Sequence, residues 1–251
     1  MFHQSPTWRF IPPLEVSGKI QMAIDYWLLQ QHHLGNSPPI LRFYTWSPIA
    51  ISLGHFQRNY PEKWNHLTWQ NKPIEIVRRP SGGRAVLHQG DLTYMVVTSG
   101  FSSNVATSYE QISQFLLAGW RSLGIELHYG KTGRGYIHNP NCFGTATQAD
   151  LIDKDGHKII GGAQLRQGKT ILQHGSMLLN PDPDLFAQVF GRFSPHSINL
   201  SHEIIIESLI TSAEACFGVK LINQPLSETE WQTILNSDFF QSDNQLSENL
   251  V

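Results

Sequence analysis

The chain has 251 residues, of which 40% are hydrophobic, and its formal net charge is -2. This length is enough for one domain with a substantial core, and the balanced charge excludes nucleic acid as a general partner. The N-terminus lacks a secretory signal, and no apolar run approaches the roughly 18 residues that a membrane span requires. We therefore expect a globular cytoplasmic protein with no membrane partner.

Apolar residues at helical spacing predict three helices. The first follows Ser17, a predicted N-cap. The second begins near Ser108 and ends at Gly124, and the third begins at Ser201. Cys216 falls on the apolar spacing of the third helix, so we expect it in the core. The chain has no Cys-x-x-Cys pair, which excludes a disulfide framework and a cysteine-rich zinc site.

Short β-rich runs lie between and after the helices: ILRFYTW, AISLGHF, IEIVRR, LTYMVV, ADLID, HKIIGGAQL and TILQHGSMLL. The last three are separated by KDG and RQGK, which are typical of hairpin turns. Local pairing of this kind predicts an α+β fold with a central mixed or antiparallel sheet flanked by helices. We assign residues 1–220 to this domain. Residues 221–251 turn polar, and we expect a short, frayed C-terminal extension without a separate accessory domain.

The stretch RRPSGGRAVLH, residues 78–88, places arginines and a glycine-rich turn between two predicted strands. Gly82 and Gly83 permit positive φ and let a ligand approach bare backbone amides. The arginines, Arg79 and Arg84 among them, offer planar donors for a phosphate or a carboxylate. A simple hairpin with solvated arginines is the alternative, because the stretch fits neither the P-loop nor the dinucleotide glycine pattern.

Two further polar runs contain glycine and lie on predicted neighbouring strands. HKIIGGA begins with Lys158 and continues into Gly161, and QHGS contains His174 and Gly175. Antiparallel pairing would gather these runs and RRPSGGRAVLH around one pocket. The alternatives are a solvated hairpin position for Lys158 and structural roles for the histidines, including His88.

RRPSGGRAVLH resembles the first signature of the biotin and lipoate protein ligase superfamily, and KIIGGAQLRQGKTILQHGSMLL resembles its second. The upstream stretch MAIDYWLL is similar to the family's first helix. LRFYTWSPIAISLGHFQ is similar to the segment that leads into the arginine-glycine motif. The resemblance spans residues 18–200 in the right order. It implies the class II synthetase-like catalytic domain of that superfamily, with Lys158 in the place of its acyl-handling lysine.

Members of that superfamily perform two related chemistries. Lipoate ligases activate a free acid with ATP, whereas octanoyltransferases take octanoyl from acyl carrier protein, where it is already a thioester. Only the second route requires a nucleophilic cysteine. Cys142 follows a Gly- and Pro-containing stretch just ahead of Lys158. A nearby cation or amide would lower its thiol pKa from about 8.5.

Two features favour the transferase. Arg84 stands where typical ligases have glycine, and the residues after the third helix are too few for the accessory domain that many ligases carry. The cysteine-dependent octanoyltransferases resemble this chain at Cys142 and Phe143. They continue with a stretch similar to Asp-Ala-Pro-Ser, where this chain has Gly144–Thr147. That departure affects the segment next to the expected nucleophile.

The resemblance implies an octanoyl-[acyl-carrier-protein]:protein N-octanoyltransferase, in which Cys142 carries the octanoyl thioester and Lys158 assists. Arg79 is expected at the entrance, where it would steer a phosphate or an acidic carrier. The expected substrate-binding residues are Arg79, Ser81, Gly82, Gly83, Arg84, Ala85, His88, Gly161, Gly162, Ala163, His174 and Gly175. No metal or cofactor is implied. The implied partners are octanoyl-acyl carrier protein and lipoyl domains of a 2-oxo acid dehydrogenase E2 subunit or the glycine cleavage H protein.

Two alternatives stay open. An ATP-dependent lipoate-protein ligase would form lipoyl-AMP and would need ATP and Mg. A non-catalytic module on the same fold would bind acyl groups or dock lipoyl domains without turnover.

Overall fold

The computed structural model describes residues 6–130, 149–191 and 197–240. In these ranges the helices are α1 (Gly18–His33), α2 (Val105–Ser122), α3 (Pro183–Phe190), α4 (His202–Phe217) and α5 (Glu228–Leu235). The strands are β1 (Thr7–Val16), β2 (Ile40–Trp46), β3 (Ala50–Leu53), β4 (Thr68–Trp69), β5 (Lys72–Pro73), β6 (Glu75–Arg78), β7 (Val86–His88), β8 (Asp91–Ser99), β9 (His128–Tyr129), β10 (Leu151–Ile152), β11 (Lys158–Gln167), β12 (Thr170–Leu178) and β13 (Lys220–Asn223).

Among the described residues, eight strands form one mixed sheet in the order β13-β1-β2-β8-β12-β11-β10-β9. The central pairs β2-β8, β8-β12 and β12-β11 are antiparallel, whereas β1 pairs in parallel with both β2 and β13. The predicted hairpin β11-β12 is confirmed, and Gly168 in its turn has positive φ. The predicted α+β class, with a mixed sheet and flanking helices, is confirmed.

Alternate residues of the central strands pack into two separate hydrophobic cores, because successive side chains of a strand point to opposite faces. Phe43 and Tyr94 pack with α2 and α4 on one face. Their sequence neighbours Tyr44 and Met95 pack with α1 on the other face. The sheet is therefore covered on both sides. Separately, no described helix is long and apolar enough to cross a membrane.

Two predicted helix starts are confirmed, and one is displaced. The side chains of Ser17 and Ser201 cap α1 and α4 by accepting from backbone amides. The second helix begins earlier than predicted, because Asn104 caps it by accepting from the Thr107 amide. Ser108 lies inside α2 and is buried, where its hydroxyl donates to Gln164 Oε1.

The polar chain after Lys220 is ordered through residue 240, so the expectation of a frayed tail there is wrong for these residues. Strand β13 forms the edge of the main sheet beside β1. Helix α5 is fixed by Arg9, whose buried guanidinium pairs with Glu230 at 2.6 Å. Residues 241–251 lie outside the described residues.

Cys216 is exposed on α4, so its predicted core position is wrong. The buried face of this helix runs through Ile205, Leu209 and Ala213. At the end of the helix the neighbouring Phe217 turns inward instead and stacks on Trp8 at 4.6 Å.

RRPSGGRAVLH does not form a hairpin. Its flanking strands belong to a separate three-stranded sheet in the order β6-β3-β7, in which β6 is parallel and β7 antiparallel to β3. The segment between them, residues 79–85, which we call the glycine loop, therefore crosses the end of β3. The crossing is close, since a Cβ on Gly54 would lie 2.0 Å from the Gly83 carbonyl oxygen. Only glycine can occupy position 54 without moving the glycine loop.

Candidate active site

The glycine loop, β7, β8, β11, β12 and α1 surround a pocket of about 240 Å³. Most of the predicted site residues line it: Arg79, Gly82, Gly83, His88, Lys158, Gly161, Gly162, Ala163, His174 and Gly175. Ser81, Arg84 and Ala85 do not line it. Ser81 is buried behind the wall, and Ala85 is part of the core of the small sheet. The apolar lining includes Met22, Trp46 and Val86, which suit an acyl chain.

The β11-β12 pairing brings the predicted glycines together on the pocket wall. Gly162 lies opposite Gly175, and Ala163 lies opposite His174. A Cβ on Gly175 would lie 2.5 Å from the Gly161 carbonyl oxygen and 2.7 Å from the Tyr94 ring, so packing excludes any side chain there. A Cβ on Gly162 would have more room, with Tyr94 Oη at 3.3 Å. Gly175 therefore admits the buried Tyr94 ring, and Gly162 keeps the pocket wall bare.

Lys158 is buried and forms an ion pair with Asp150, whose Oδ1 lies 2.9 Å from Nζ. Both residues line the pocket. The solvated alternative for Lys158 is therefore wrong. Sequence reasoning missed Asp150, although its position just before β10 and opposite the start of β11 follows from the predicted hairpin of ADLID with HKIIGGAQL. The pair places the Lys158 ammonium, held by the Asp150 carboxylate, at the wall of the pocket.

Arg79 occupies a different position from the predicted entrance, since it is only 6% exposed. Its Nη2 donates to the carbonyl oxygens of Gly82 at 2.9 Å and Arg84 at 2.7 Å. Its Nη1 donates to the Ser52 carbonyl oxygen at 2.9 Å. The guanidinium thus binds carbonyls of its own glycine loop to the end of β3. With these carbonyls turned toward Arg79, the loop presents its bare glycine surface to the pocket.

His174 is held between two elements that are distant in sequence. Its Nδ1 lies 2.8 Å from Asp25 Oδ2 on α1, and its Nε2 lies 2.5 Å from Ser81 Oγ on the glycine loop. Asp25 is fully buried, pairs with Arg42 at 3.0 Å and accepts from Tyr44 Oη at 2.9 Å. The histidine therefore connects the glycine loop to α1 through the sheet.

A second serine-histidine-aspartate chain lies on the same pocket. His88 Nδ1 lies 2.8 Å from Asp91 Oδ2, and His88 Nε2 lies 2.8 Å from Ser52 Oγ. The ring also stacks on Trp46 at a centroid distance of 3.7 Å. Burial lowers the pKa of His88 from 6.5, although Asp91 opposes this shift. The neutral imidazole is consequently favoured at neutral pH.

Asp25, Asp91 and Ser52 were missed because their partners are fixed by tertiary packing. Asp91 follows His88 by three residues, the only local spacing among these contacts. Asp25 and Ser52 have no such signal, since their hydrogen-bond partners lie on elements that are distant in sequence.

One group of described residues has the spacing for a metal ion: Asp153, Asp155 and His157 in the β10-β11 turn. It lies outside the pocket lining. The Asp153 carboxylate already accepts from the amides of Asp155 at 2.9 Å and His157 at 2.8 Å, as expected for a turn. Cys142, the predicted nucleophile, lies outside the described residues.

Comparison with known proteins matches residues 17–227 to the family described as the lipoyl protein ligase A/B catalytic domain. Octanoyltransferase LipM of Carboxydothermus hydrogenoformans is 40% identical over 187 residues, covering 73% of this chain and 69% of that protein. LipM of Kyrpidia tusciae is 34% identical and covers 90% of this chain and 93% of its own length. The crystal structure of lipoate-protein ligase A bound with ATP has the same fold, with a TM-score of 0.78, 21% identity and coverage of 98% and 100%. The chain belongs to the lipoyl protein ligase A/B catalytic domain family.

Proposed function

We propose that this chain is an octanoyltransferase of lipoate biosynthesis, which moves an octanoyl group from a thioester to a lysine of a lipoyl domain. The observation that carries the proposal is the buried Lys158–Asp150 pair on the wall of a pocket that also has apolar and bare glycine surfaces. An acyl chain requires the apolar surface. Its reacting carbonyl requires hydrogen-bond donors, such as the Lys158 ammonium and the backbone amides of the glycine loop. The similarity to LipM proteins along most of the chain supports the same reaction.

The first step forms a bond between the Cys142 sulfur and the octanoyl carbonyl carbon. The Cys142 thiolate attacks, the carbonyl oxygen becomes an oxyanion, and Lys158 together with amides of the glycine loop stabilises it. Collapse of this intermediate breaks the bond to the donor sulfur, which leaves as a thiolate and takes a proton. The enzyme then carries an octanoyl thioester. Since one thioester replaces another, this step needs no ATP.

In the second step the neutral amine of an acceptor lysine attacks the same carbonyl carbon. An amide forms, the bond to the Cys142 sulfur breaks, and the amine proton passes to that sulfur. The proposed donor is octanoyl-acyl carrier protein. The proposed acceptors are lipoyl domains of 2-oxo acid dehydrogenases or the glycine cleavage H protein.

The test is intact mass spectrometry after the protein is mixed with octanoyl-acyl carrier protein in the absence of ATP. Wild type should gain one octanoyl mass that hydroxylamine removes, and Cys142→Ser should not. Cys216→Ser is the matched control and should acylate as wild type does. Desolvation raises the pKa of the Cys216 thiol, which lowers its thiolate fraction. An adduct that persists in Cys142→Ser would refute the assignment, and acylation that requires ATP and a free acid would establish the ligase instead.

A further inference from the structure

A second groove adjoins the pocket on the outer surface. Gly82 and Gln164 line both cavities. Beyond them the groove continues between Phe56, Val105 and Leu165. A ligand that extends from the pocket past Gly82 and Gln164 therefore enters this groove, which we call the Phe56 groove.

Phe56 is 82% exposed, although the loop that carries it is firmly held. Arg78 Nη1 donates to the carbonyl oxygens of Gly54 at 2.9 Å, His55 at 3.3 Å and Gln57 at 2.9 Å. The His55 amide also donates to the Ser81 carbonyl oxygen at 2.8 Å, which ties this loop to the glycine loop. A fixed, exposed aromatic ring can contact a ligand without a large loss of loop entropy.

Further lining residues of the groove come from the start of α2 and from the chain after α5. Phe239 lines the groove and stacks on Tyr26 of α1 at a centroid distance of 4.8 Å. Val105 is 52% exposed at the start of α2. The groove thus has apolar walls contributed by separate elements, and it is continuous with the pocket at Gly82 and Gln164.

Arg166 lines the Phe56 groove and adds a positive charge to it. Its guanidinium donates to the carbonyl oxygens of Ser102 at 3.2 Å and Ser103 at 3.1 Å and to the Ser108 hydroxyl. These acceptors are neutral, and no carboxylate in the part of the chain that the structure describes forms an ion pair with it. The charge therefore remains available to attract an anion.

We infer that the Phe56 groove binds the pantetheine arm of the acyl donor, an inference that rests on the proposed octanoyl transfer. With the octanoyl chain in the pocket, the group attached to the thioester sulfur can extend past Gly82 and Gln164, which line both cavities. That group is a flexible chain with apolar segments and a terminal phosphate. The walls around Phe56 cover its apolar segments, and Arg166 attracts its phosphate.

The test compares octanoyl thioesters of N-acetylcysteamine, pantetheine and 4'-phosphopantetheine, followed by the carrier protein. In wild type, kcat/KM for Cys142 acylation should rise along this series. Phe56→Ala should remove most of the gain from N-acetylcysteamine to pantetheine, about five- to tenfold, because it removes the exposed ring that covers the arm. The further gain from the phosphate should persist in this variant and shrink at high salt.

Leu34→Ala is the matched control, because Leu34 is 65% exposed but lies at the end of α1, outside the groove. It should leave every donor unaffected. An equal gain from the arm in wild type and Phe56→Ala would overturn the inference. A loss in Phe56→Ala that appears only with the intact carrier would also overturn it and would assign the groove to protein docking. If no thioester acylated the wild type, the proposed function itself would fail.

Discussion

Lys158 Nζ lies 2.9 Å from Asp150 Oδ1, and the two residues are 8% and 3% exposed. An ion pair this deep in the protein holds its charge at a large desolvation cost, which only close pairing offsets. A lysine at the mouth of a hairpin would contribute little to stability. In the buried pair, by contrast, each charge requires the other, because a buried charge without its partner is strongly destabilising.

Lys158→Met and Asp150→Asn should each lower the single-turnover rate of acylation by about 100-fold or more, since each removes or misplaces the charge at the developing oxyanion. Each should also lower the free energy of unfolding by about 3–5 kcal/mol, because a buried charge loses its partner. Quenched single-turnover assays measure the acylation rate, and urea unfolding measures the free energy of unfolding.

The double variant Asp150→Asn with Lys158→Met separates catalysis from stability. It should regain part of the lost stability, since no isolated charge remains buried, while acylation should stay slow. Unchanged single-turnover rates in Lys158→Met would remove Lys158 from the mechanism.

Arg79→Lys tests the corrected position of Arg79. A lysine cannot reproduce the planar set of donors that bind Ser52, Gly82 and Arg84. We therefore expect acylation to fall by a similar factor with octanoyl-acyl carrier protein and with a short octanoyl thioester. The loss should not depend on salt, because buried hydrogen bonds are poorly screened. A loss confined to the carrier-bound donor at low salt would restore the steering role that the sequence predicted.

Local sequence signals predicted much of this fold. Ser17 and Ser201 are caps next to apolar stripes, and the β11-β12 hairpin carries its own turn residues, so each pattern is complete within a few positions. Strand β13 gives no such signal, because it lies at a sheet edge and is largely exposed. Helix α5 did carry one, the capping box of Ser227 and Glu230.

The site, like the fold, has residues that local patterns predicted and residues that only tertiary contacts reveal. Most of the residues predicted from the signatures around the glycine loop and Lys158 do line the pocket. The residues that hold them could not be read from local patterns: Asp25 meets His174 across 149 positions of sequence. The same limit explains Arg79, since the sequence does not reveal that its acceptors are carbonyl oxygens of its own loop and of Ser52 on β3.

Gly82 and Gly83 are matched positions for testing backbone strain in the glycine loop. Gly83 has φ of +99°, and a Cβ there would lie 2.7 Å from Arg79 Nη2, whereas a Cβ on Gly82 would meet nothing within 4 Å. Gly83→Ala should lower the free energy of unfolding by about 1–3 kcal/mol and slow acylation, because it strains the backbone and disturbs Arg79. Gly82→Ala should have the same urea midpoint of unfolding as wild type. Equal stability of the two variants would show that the loop relaxes without cost.

His88 should make the protein less stable in acid. Burial lowers its pKa in the folded state below the 6.5 of an exposed histidine, so between these two values the unfolded chain binds the extra proton more readily. Stability must then fall as the pH drops through that window, by about 1.4 kcal/mol for each unit of lowering. Urea midpoints between about pH 7.5 and about pH 5.5 should therefore decline more steeply in wild type than in His88→Gln.

The comparison of slopes is independent of any constant loss of stability that His88→Gln causes by disturbing Ser52 and Asp91. His157→Gln is the control, because His157 is an exposed histidine in the β10-β11 turn, outside the pocket. It should not reproduce the shallower decline expected for His88→Gln. If His88→Gln and wild type lost stability in parallel on acidification, the buried imidazole would have to be protonated as easily in the folded protein as in the unfolded chain. Asp91, at 2.8 Å from Nδ1, would then outweigh the desolvation that favours the neutral ring.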